Sequence, residues 1–290
     1  MANSIELAKK FVPVVDDIYK VQSVTEGIDT ATRADFTGTN EVKVLKVSTT
    51  GMGNYSREEG YPKGDVTAAW ETMKLTEERG KEISIDRMDD EETLGLTFGT
   101  VVGNFMRDHV APELDAYRFA KYASTTGINS ATGALTKADI IAAIDEAGKA
   151  LDGFEVPATS RVLFVSSDLK PALNQALNRQ WGSDNNVNTV ISGYNDMPII
   201  YVPKTRFYTA IELADGKTSW GYKKAASGKD INFMIVERGA ILQVKKFALP
   251  KIFDPDTNQD KDAWKFQFRL YHDAFVYENK VKGVYVHHLG

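Results

Sequence analysis

The sequence predicts an α+β fold in which extended strands, one long helix and a small α/β unit occupy separate parts of the chain. Three observations predict it. Residues 42–86 alternate apolar and polar side chains around a glycine-rich tip, as in a long β-hairpin. Residues 88–124 carry apolar side chains at helical spacing. The end of the chain is rich in the β-branched and aromatic residues that favour strands.

Composition excludes several classes of protein. The chain has 290 residues, a net charge of −5 and an ordinary share of apolar and charged residues, which is typical of a folded globular protein. The acidic balance argues against tight, sequence-specific binding of nucleic acid. The absence of cysteine excludes disulfides and thiolate chemistry. We find no export signal and no apolar run long enough for a membrane span, so no membrane partner is expected.

The first two parts of the chain predict arms. Residues 1–39 form an N-terminal arm and lead-in, because a short, weakly helical piece is broken by Pro13 and followed by polar sequence. Residues 40–86 form an extended β-hairpin, although Glu77 and Arg79 interrupt the apolar face of its returning strand. A two-stranded ribbon alone is marginally stable in water. We therefore expect a neighbouring copy of the same protein to complete it.

The third part, residues 87–135, predicts a long helix. Phe98 and Phe105 belong to a series of apolar residues at helical spacing. Pro112 lacks a backbone donor and should bend or break the helix, so we expect a bend near Val110.

The fourth part, residues 136–240, predicts a compact α/β unit. Thr136 opens a helix that Gly153 closes, with apolar residues on one face between them. Two apolar strands follow, at 161–165 and 197–202, with a second helix between them. The order helix, strand, helix, strand is typical of an α/β layer.

The fifth part, residues 241–290, predicts long strands joined by a polar loop, DPDTNQDKD. This loop partly matches a calcium-binding loop, which also places oxygen ligands at alternating positions. The match fails because Gln259 and Lys265 stand where glycine and glutamate are needed. A solvated loop is the favoured interpretation.

No catalytic motif is present. The sequence contains neither a phosphate-binding GxxxxGK[ST] loop nor a GxSxG turn, and its histidines show no metal-binding spacing. We therefore expect no catalytic residue, no cofactor and no metal site, which favours a structural protein over an enzyme.

The order of parts resembles the major capsid protein of tailed bacteriophages, the Hong Kong phage ninety-seven-type shell fold. The opening SIELAKKFVPVVDDIYK resembles the N-terminal arm of such subunits, and residues 40–86 resemble their extended loop. Residues 87–135 resemble the spine helix with part of the peripheral domain, residues 136–240 the axial domain, and residues 241–290 the peripheral-domain sheet. The segment ISGYNDMPIIYVPKTRF carries a pattern that recurs in these subunits.

This resemblance implies a subunit that forms hexamers and pentamers and closes an icosahedral head around double-stranded DNA. It implies a separate scaffolding protein and a portal as partners, non-specific proximity to packaged DNA, and assembly in the host cytoplasm into the virion capsid.

The resemblance also implies that the hairpin lies across an adjacent subunit. Charged residues at and near its tip are then expected at the rim of that contact, with Trp70 as an apolar anchor, because aromatic residues are enriched at interface hot spots. The predicted intersubunit residues are Arg57, Glu58, Glu59, Lys63, Asp65, Trp70, Glu77 and Arg79.

Two alternatives remain open. Encapsulin nanocompartments share this shell fold, so a container for a cargo enzyme has a similar sequence pattern. An α/β enzyme or ligand-binding protein centred on residues 136–240 would need a pocket with convergent polar groups.

Overall fold

The computed structural model describes residues 23–28, 35–36, 41–58, 60–61, 63–92, 97–176 and 193–290. In chain order the strands are β1 Asp35–Phe36, β2 Glu41–Thr49, β3 Val66–Lys74, β4 Glu77–Asp86, β5 Asn129–Thr132, β6 Arg161–Ser166, β7 Gly193–Tyr194, β8 Met197–Val202, β9 Ile211–Leu213, β10 Tyr222–Lys224, β11 Ile231–Glu237, β12 Ile241–Phe253, β13 Ala263–Val276 and β14 Val284–His288. The helices are α1 Arg87–Glu92, α2 Thr97–Phe105, α3 Ala111–Ser124, α4 Ile140–Gly153 and α5 Lys170–Ala176, with a π-helical turn at Met106–Val110.

These elements form the predicted α+β fold. A six-stranded sheet has the order β5-β14-β11-β6-β8-β7, and a three-stranded second sheet has the order β12-β13-β4. A third sheet, β1-β2-β3, contains the hairpin, and β9 pairs with β10 as a small separate ribbon. No helix in the described ranges has the length and hydropathy of a membrane span.

The hairpin arm is shorter than the sequence predicts. The returning strand splits after Lys74: β3 continues to pair with β2, whereas β4 pairs along its whole length with β13 of the same subunit. The carboxylate of Asp273 fixes the split by accepting hydrogen bonds from the amide and the hydroxyl of Thr76, each at 3.1 Å. The expectation that all of residues 42–86 lack a partner within the subunit is therefore wrong for β4.

The long helix of residues 97–124 passes Pro112 through a π-helical turn. The amide of Ala111 donates to the carbonyl of Met106, five residues back, and Val110 keeps helical dihedral angles of −70° and −50°. A π-turn is wider than an α-turn, so it leaves room for the proline ring and needs no break. Near Val110, where the sequence predicts a bend, the structure has a π-turn, and the helix is not broken there.

The six-stranded sheet lies between two helical layers. On one face α4 and α5 pack on it, with Ile144, Leu151 and Leu173 in the core they share with β6, β8 and β11. On the other face the long helix places Phe119 and Tyr122 against the same strands. Because both faces are covered, β6 is buried along its whole length, as its continuous apolar run predicts.

The start of α4 is close to its prediction. Thr136 accepts the amide of Ala138 at 3.2 Å and its carbonyl accepts the amide of Ile140 at 3.0 Å. The carboxylate of Asp139 binds the Thr136 hydroxyl at 2.5 Å and makes no side-chain cap of its own. The regular helix therefore begins at Ile140 and ends, as predicted, at Gly153.

The segment GYNDMP forms a tight hairpin between β7 and β8. Asn195 and Asp196 have φ values of +46° and +61°, which are the left-handed conformations that a two-residue hairpin turn requires. The Tyr194 hydroxyl donates to Asp145 of α4 at 2.7 Å. The segment GYNDMP, on which part of the resemblance rests, therefore forms a turn and connects it to α4 by a hydrogen bond.

The end of the chain differs from the prediction. Strand β14 pairs with β11 and β5 in the six-stranded sheet and has no place in the second sheet. Its alternation explains this position, because Val284 and Val286 enter the core on the side of the long helix while Tyr285 enters the core of α4. The placement of all of residues 241–290 in one peripheral sheet is corrected for this strand; the other domain boundaries stay predictions.

Candidate functional site

The arm, residues 41–74, is attached to the body of the subunit by one of its two faces. At its base Val42 and Met73 are buried with Leu242, Val244 and Tyr277. Farther out on this same face, the Lys46 amine pairs with Glu278 at 3.0 Å and the Glu71 carboxylate accepts the amide of Glu278 at 3.2 Å. These contacts fix the direction in which the arm leaves the body.

The opposite face of the arm is apolar and exposed. Leu45 lies directly across from Trp70 in the strand register, and Thr49 lies across from Val66. The side chains of Leu45, Val47, Val66 and Trp70 are 50%, 53%, 69% and 57% exposed. We call these four residues the apolar strip. Contiguous exposed apolar surface of this kind marks interaction sites.

Of the apolar strip, only Trp70 is among the intersubunit residues predicted from the sequence; Leu45, Val47 and Val66 are not. In β2 the apolar positions are Val42 and Val44 on one face, then Leu45 and Val47 on the other. Because neighbouring side chains in a strand point to opposite faces, this change of phase at Leu45 was the available signal.

The tip of the arm contains an ordered turn. Ser56 and Gly60 exchange backbone hydrogen bonds of 2.8 and 3.2 Å, and the rings of Tyr55 and Tyr61 meet edge to face at 5.1 Å. Gly60 has a φ of +81°, a conformation that suits glycine because a Cβ atom opposes it. The tip is therefore better organised than its glycine content predicts.

The predicted rim residues at the tip are exposed where the structure describes them. Arg57, Glu58, Lys63 and Asp65 lie on the surface of the tip. Glu59 lies outside the described residues. Contact of these side chains with a neighbouring subunit stays a prediction.

The two remaining predicted residues lie on β4, in the body. The Arg79 guanidinium binds the Glu113 carboxylate through two contacts of 2.7 and 3.3 Å, and it donates to the carbonyls of Ala214 at 2.6 Å and Gly221 at 3.3 Å. Glu77 accepts the Thr76 hydroxyl at 3.1 Å. The charge that interrupts the apolar face of this strand is thus explained by contacts within the subunit, and an intersubunit role for both residues stays a prediction.

Arg79 borders a cleft of about 370 Å³ between the long helix, the second sheet and the loop of residues 214–221. Phe105, Leu114 and Phe268 form part of its apolar wall. Trp220 stands at the loop side, with the Lys81 amine 5.2 Å from its ring centre. Of residues 136–240, where the enzyme alternative would need its pocket, the loop of residues 214–221 lines this cleft; the rest of the lining comes from β4, the long helix and β13.

The acidic loop between β12 and β13 binds protein groups. Asp254 accepts the amide of Thr257 at 2.8 Å, Arg87 lies 3.4 Å from Asp256 and 3.7 Å from Asp262, and Asp260 pairs with Lys265. Across the ranges that the structure describes, no group of three or more acidic or histidine side chains is arranged to hold a metal ion.

No protein-family model matches the chain, and no curated protein sequence matches it either. Solved structures do match, over nearly the whole chain. A structure from Mycobacterium phage Che8 has 15% identity and a TM-score of 0.62, covering 92% of this chain and 91% of that one. The capsid of the cyanophage P-SCSP1u has 12% identity and a TM-score of 0.63, covering 92% and 88%. A virus-like particle from Pyrococcus furiosus has 10% identity and a TM-score of 0.59, covering 97% and 99%.

These matches define the class of fold: it is that of viral and virus-like shell subunits. More particularly, the chain has the major capsid protein fold of tailed bacteriophages, as its order of parts predicted.

Proposed function

We propose that this protein is the structural major capsid protein of a tailed bacteriophage, which assembles as hexamers and pentamers into an icosahedral head enclosing double-stranded DNA. The observation that supports this most directly is the arm itself. One face is attached to its own subunit, and the other presents the apolar strip to the outside. A shell subunit needs such a surface, because its neighbours supply the burial that its own chain lacks.

Assembly in this proposal uses many modest contacts. The apolar strip supplies the water-excluding centre of the contact with an adjacent subunit, with Trp70 as its anchor. The charged residues of the tip form its rim, where ion pairs add specificity more than affinity. Each subunit both gives and receives an arm, so the weak contacts act together around a closed shell.

The proposed partners follow from the same function. They are further copies of this chain, a separate scaffolding protein and a portal, with the packaged DNA held near the shell without sequence-specific contacts. The acidic net charge of −5 agrees with weak, non-specific proximity to DNA. The proposed place of assembly is the host cytoplasm, and the final location is the virion capsid.

Light scattering on the purified protein, with electron micrographs of the same fractions, tests the proposal. Closed uniform shells or rings of capsomer size are the expected result. A monomer of 32.1 kDa that stays monomeric when the scaffolding protein is co-expressed would contradict it.

A second candidate function is a nanocompartment shell of the encapsulin type. The match to a virus-like particle favours it, since that match covers almost the whole of both chains. The content of purified particles separates the two functions. Packaged double-stranded DNA supports the phage head, whereas a co-purifying cargo enzyme and no DNA supports the compartment.

A further inference from the structure

One buried carboxylate holds residues 23–28 against the long helix. Asp115 is fully buried, and it accepts the hydroxyls of Ser23 and Thr25, both at 2.6 Å. It also accepts the backbone amides of Val24 at 3.1 Å and Thr25 at 3.2 Å. Four donors from three consecutive residues therefore converge on one side chain. We call residues 23–28 the arm anchor, because they belong to the predicted N-terminal arm, residues 1–39. This N-terminal arm is distinct from the hairpin arm of residues 41–74.

Basic side chains complete this attachment. Arg118, one turn along the helix and 2% exposed, donates to the Thr25 hydroxyl at 2.8 Å and lies 3.3 Å from the Glu26 carboxylate. Lys245 binds Glu26 at 2.6 Å, and Arg206 binds Asp115 at 3.2 Å.

The network contains two carboxylates, of Asp115 and Glu26, and three basic side chains, of Arg118, Lys245 and Arg206. Burial by itself raises the pKa of Glu26, but the hydrogen bond from Lys245 and the charge of Arg118 outweigh burial and leave that pKa below its ordinary value. Glu26 is therefore ionised at neutral pH. Buried charges that are paired and hydrogen-bonded in this way favour one arrangement over others, because each partner that moves leaves a charge unpaired.

The backbone of the arm anchor is adapted to the same position. Gly27 has a φ of +69°, which lets the chain turn after Glu26. The turn directs Ile28, 6% exposed, into the core that also contains Phe119 and Tyr122 of the long helix. The polar contacts and the apolar side chains of Val24 and Ile28, which both pack on this core, thus define the same docked geometry.

We infer that residues 23–28 are an anchor that docks on the long helix through Asp115 and Arg118, and that assembly of the shell requires this docked geometry. The anchoring stands on the contacts of the subunit alone. Its consequence for assembly rests on the proposed shell function.

Hydrogen exchange on the isolated subunit tests the anchoring. The amides of Val24 and Thr25 are expected to exchange slowly, because both donate to a buried acceptor. The variant Thr25→Val keeps the side-chain shape and removes the hydroxyl that donates to Asp115 and accepts from Arg118. It should accelerate exchange of these two amides by about tenfold, the effect of losing a partner from buried polar groups, while amides of β6 and β11 keep their rates.

Thr218→Val is the matched control, because the Thr218 hydroxyl also binds an aspartate, Asp215, but in an exposed loop. It should leave exchange at Val24 and Thr25 unchanged. Cleavage by a glutamate-specific protease gives a second readout: the bond after Glu26 should resist cleavage in the wild type and become sensitive in Thr25→Val.

Unprotected amides at Val24 and Thr25 in the wild type would overturn the anchoring. Equal acceleration of the arm anchor and of β6 would also overturn it, since these residues would then be an ordinary part of the core.

Particle assembly tests the consequence. The double variant Ser23→Ala with Thr25→Val should lose particle yield several-fold, and Thr218→Val should not. Unchanged yield with accelerated exchange refutes the link to assembly. If the wild type itself forms no particles with scaffold present, the proposed function fails, and hydrogen exchange still decides the anchoring.

Discussion

At the scale of single residues, Trp70 combines a large apolar surface with little role in its own subunit. The residue is 57% exposed and lies across from Leu45 on the outer face of the arm. Trp70→Ala should therefore reduce particle yield several-fold, while the melting temperature of the subunit shifts by less than about 4 °C, as expected for an exposed substitution. Light scattering and thermal unfolding measure the two effects.

The control for this prediction is Trp220→Ala. Trp220 is also exposed, at 64%, but it borders the cleft of the body and lies off the arm. It should assemble at wild-type yield. Equal losses for both variants would remove Trp70 as a specific anchor.

His272 gives a residue-scale prediction about pH. It is 3% exposed, its ring meets that of Tyr117 at 5.2 Å, and its Nδ1 has no hydrogen-bond partner among the residues that the structure describes. Burial, followed by the charges of Arg118, Lys245 and Arg79, lowers the pKa of His272 to about 3. In the strand register it lies between Lys245 and Glu77.

The sign of the effect follows from proton binding. Between the ordinary histidine pKa and the lowered one, the unfolded chain binds a proton at His272 and the folded chain does not, so the free energy of unfolding falls as pH falls. Between pH 7 and pH 5, His272 should lower the free energy of unfolding by about 2 kcal/mol.

Denaturant unfolding at these two pH values measures the slope. His272→Phe keeps an aromatic ring beside Tyr117 and removes the titrating group. The fall in the free energy of unfolding between pH 7 and pH 5 should therefore be about 2 kcal/mol smaller in this variant than in the wild type. The same dependence in His272→Phe and wild type would show that other groups cause the acid sensitivity.

At the scale of elements, Arg79 connects three parts of the subunit. It lies on β4, binds Glu113 of the long helix, and donates to the carbonyls at the two ends of the loop of residues 214–221. Arg79→Lys keeps the charge but loses the planar, multiple donor geometry. It should destabilise the subunit by about 1–3 kcal/mol, because partly buried acceptors lose their donors, and exchange should accelerate in residues 214–221.

Arg269→Lys is the matched control on the neighbouring strand. Arg269 pairs with Glu78 at the surface, where their side chains are 62% and 49% exposed. Exposed pairs contribute about 0–1 kcal/mol, so this variant should be nearly neutral in denaturant unfolding. A nearly neutral Arg79→Lys would show that the loop is held by other contacts.

The divided hairpin shows how far element prediction extends. Alternation correctly predicted strands in β2, β3 and β4, since the period of two is a local property of the sequence. The pairing of β4 with β13 could not be predicted, because Glu77 and Arg79 give β4 the sequence pattern of an exposed ribbon. Only the positions of Glu113 and Ala214, distant in sequence, show why a charge belongs on that face.

At the scale of the whole molecule, the arm separates folding from assembly. Its base is buried in the body, whereas the apolar strip touches none of the apolar cores described for the subunit. Val44 of β2 and Glu71 of β3 lie directly opposite each other in the strand register of the hairpin. Replacing residues 45–70 by Asn-Gly should therefore close the hairpin with a two-residue turn and leave the body folded.

This shortened chain should stay unassembled under conditions in which the wild type forms shells. Light scattering measures assembly, and circular dichroism with thermal unfolding shows whether the body is intact. Shells at wild-type yield from the shortened chain would contradict the role of the arm.

The sequence by itself determined the fold class, the limits of β8 and, to within one residue, those of β6. These features depend on local periodicity and backbone chemistry, which neighbouring residues specify. The tertiary structure alone decided that β4 and β14 join sheets within the subunit, that the arm has one attached and one exposed face, and that Asp115 holds residues 23–28. Those features depend on side chains that are far apart in sequence, and the pattern of a single segment does not encode which distant partner satisfies its charges and hydrogen bonds.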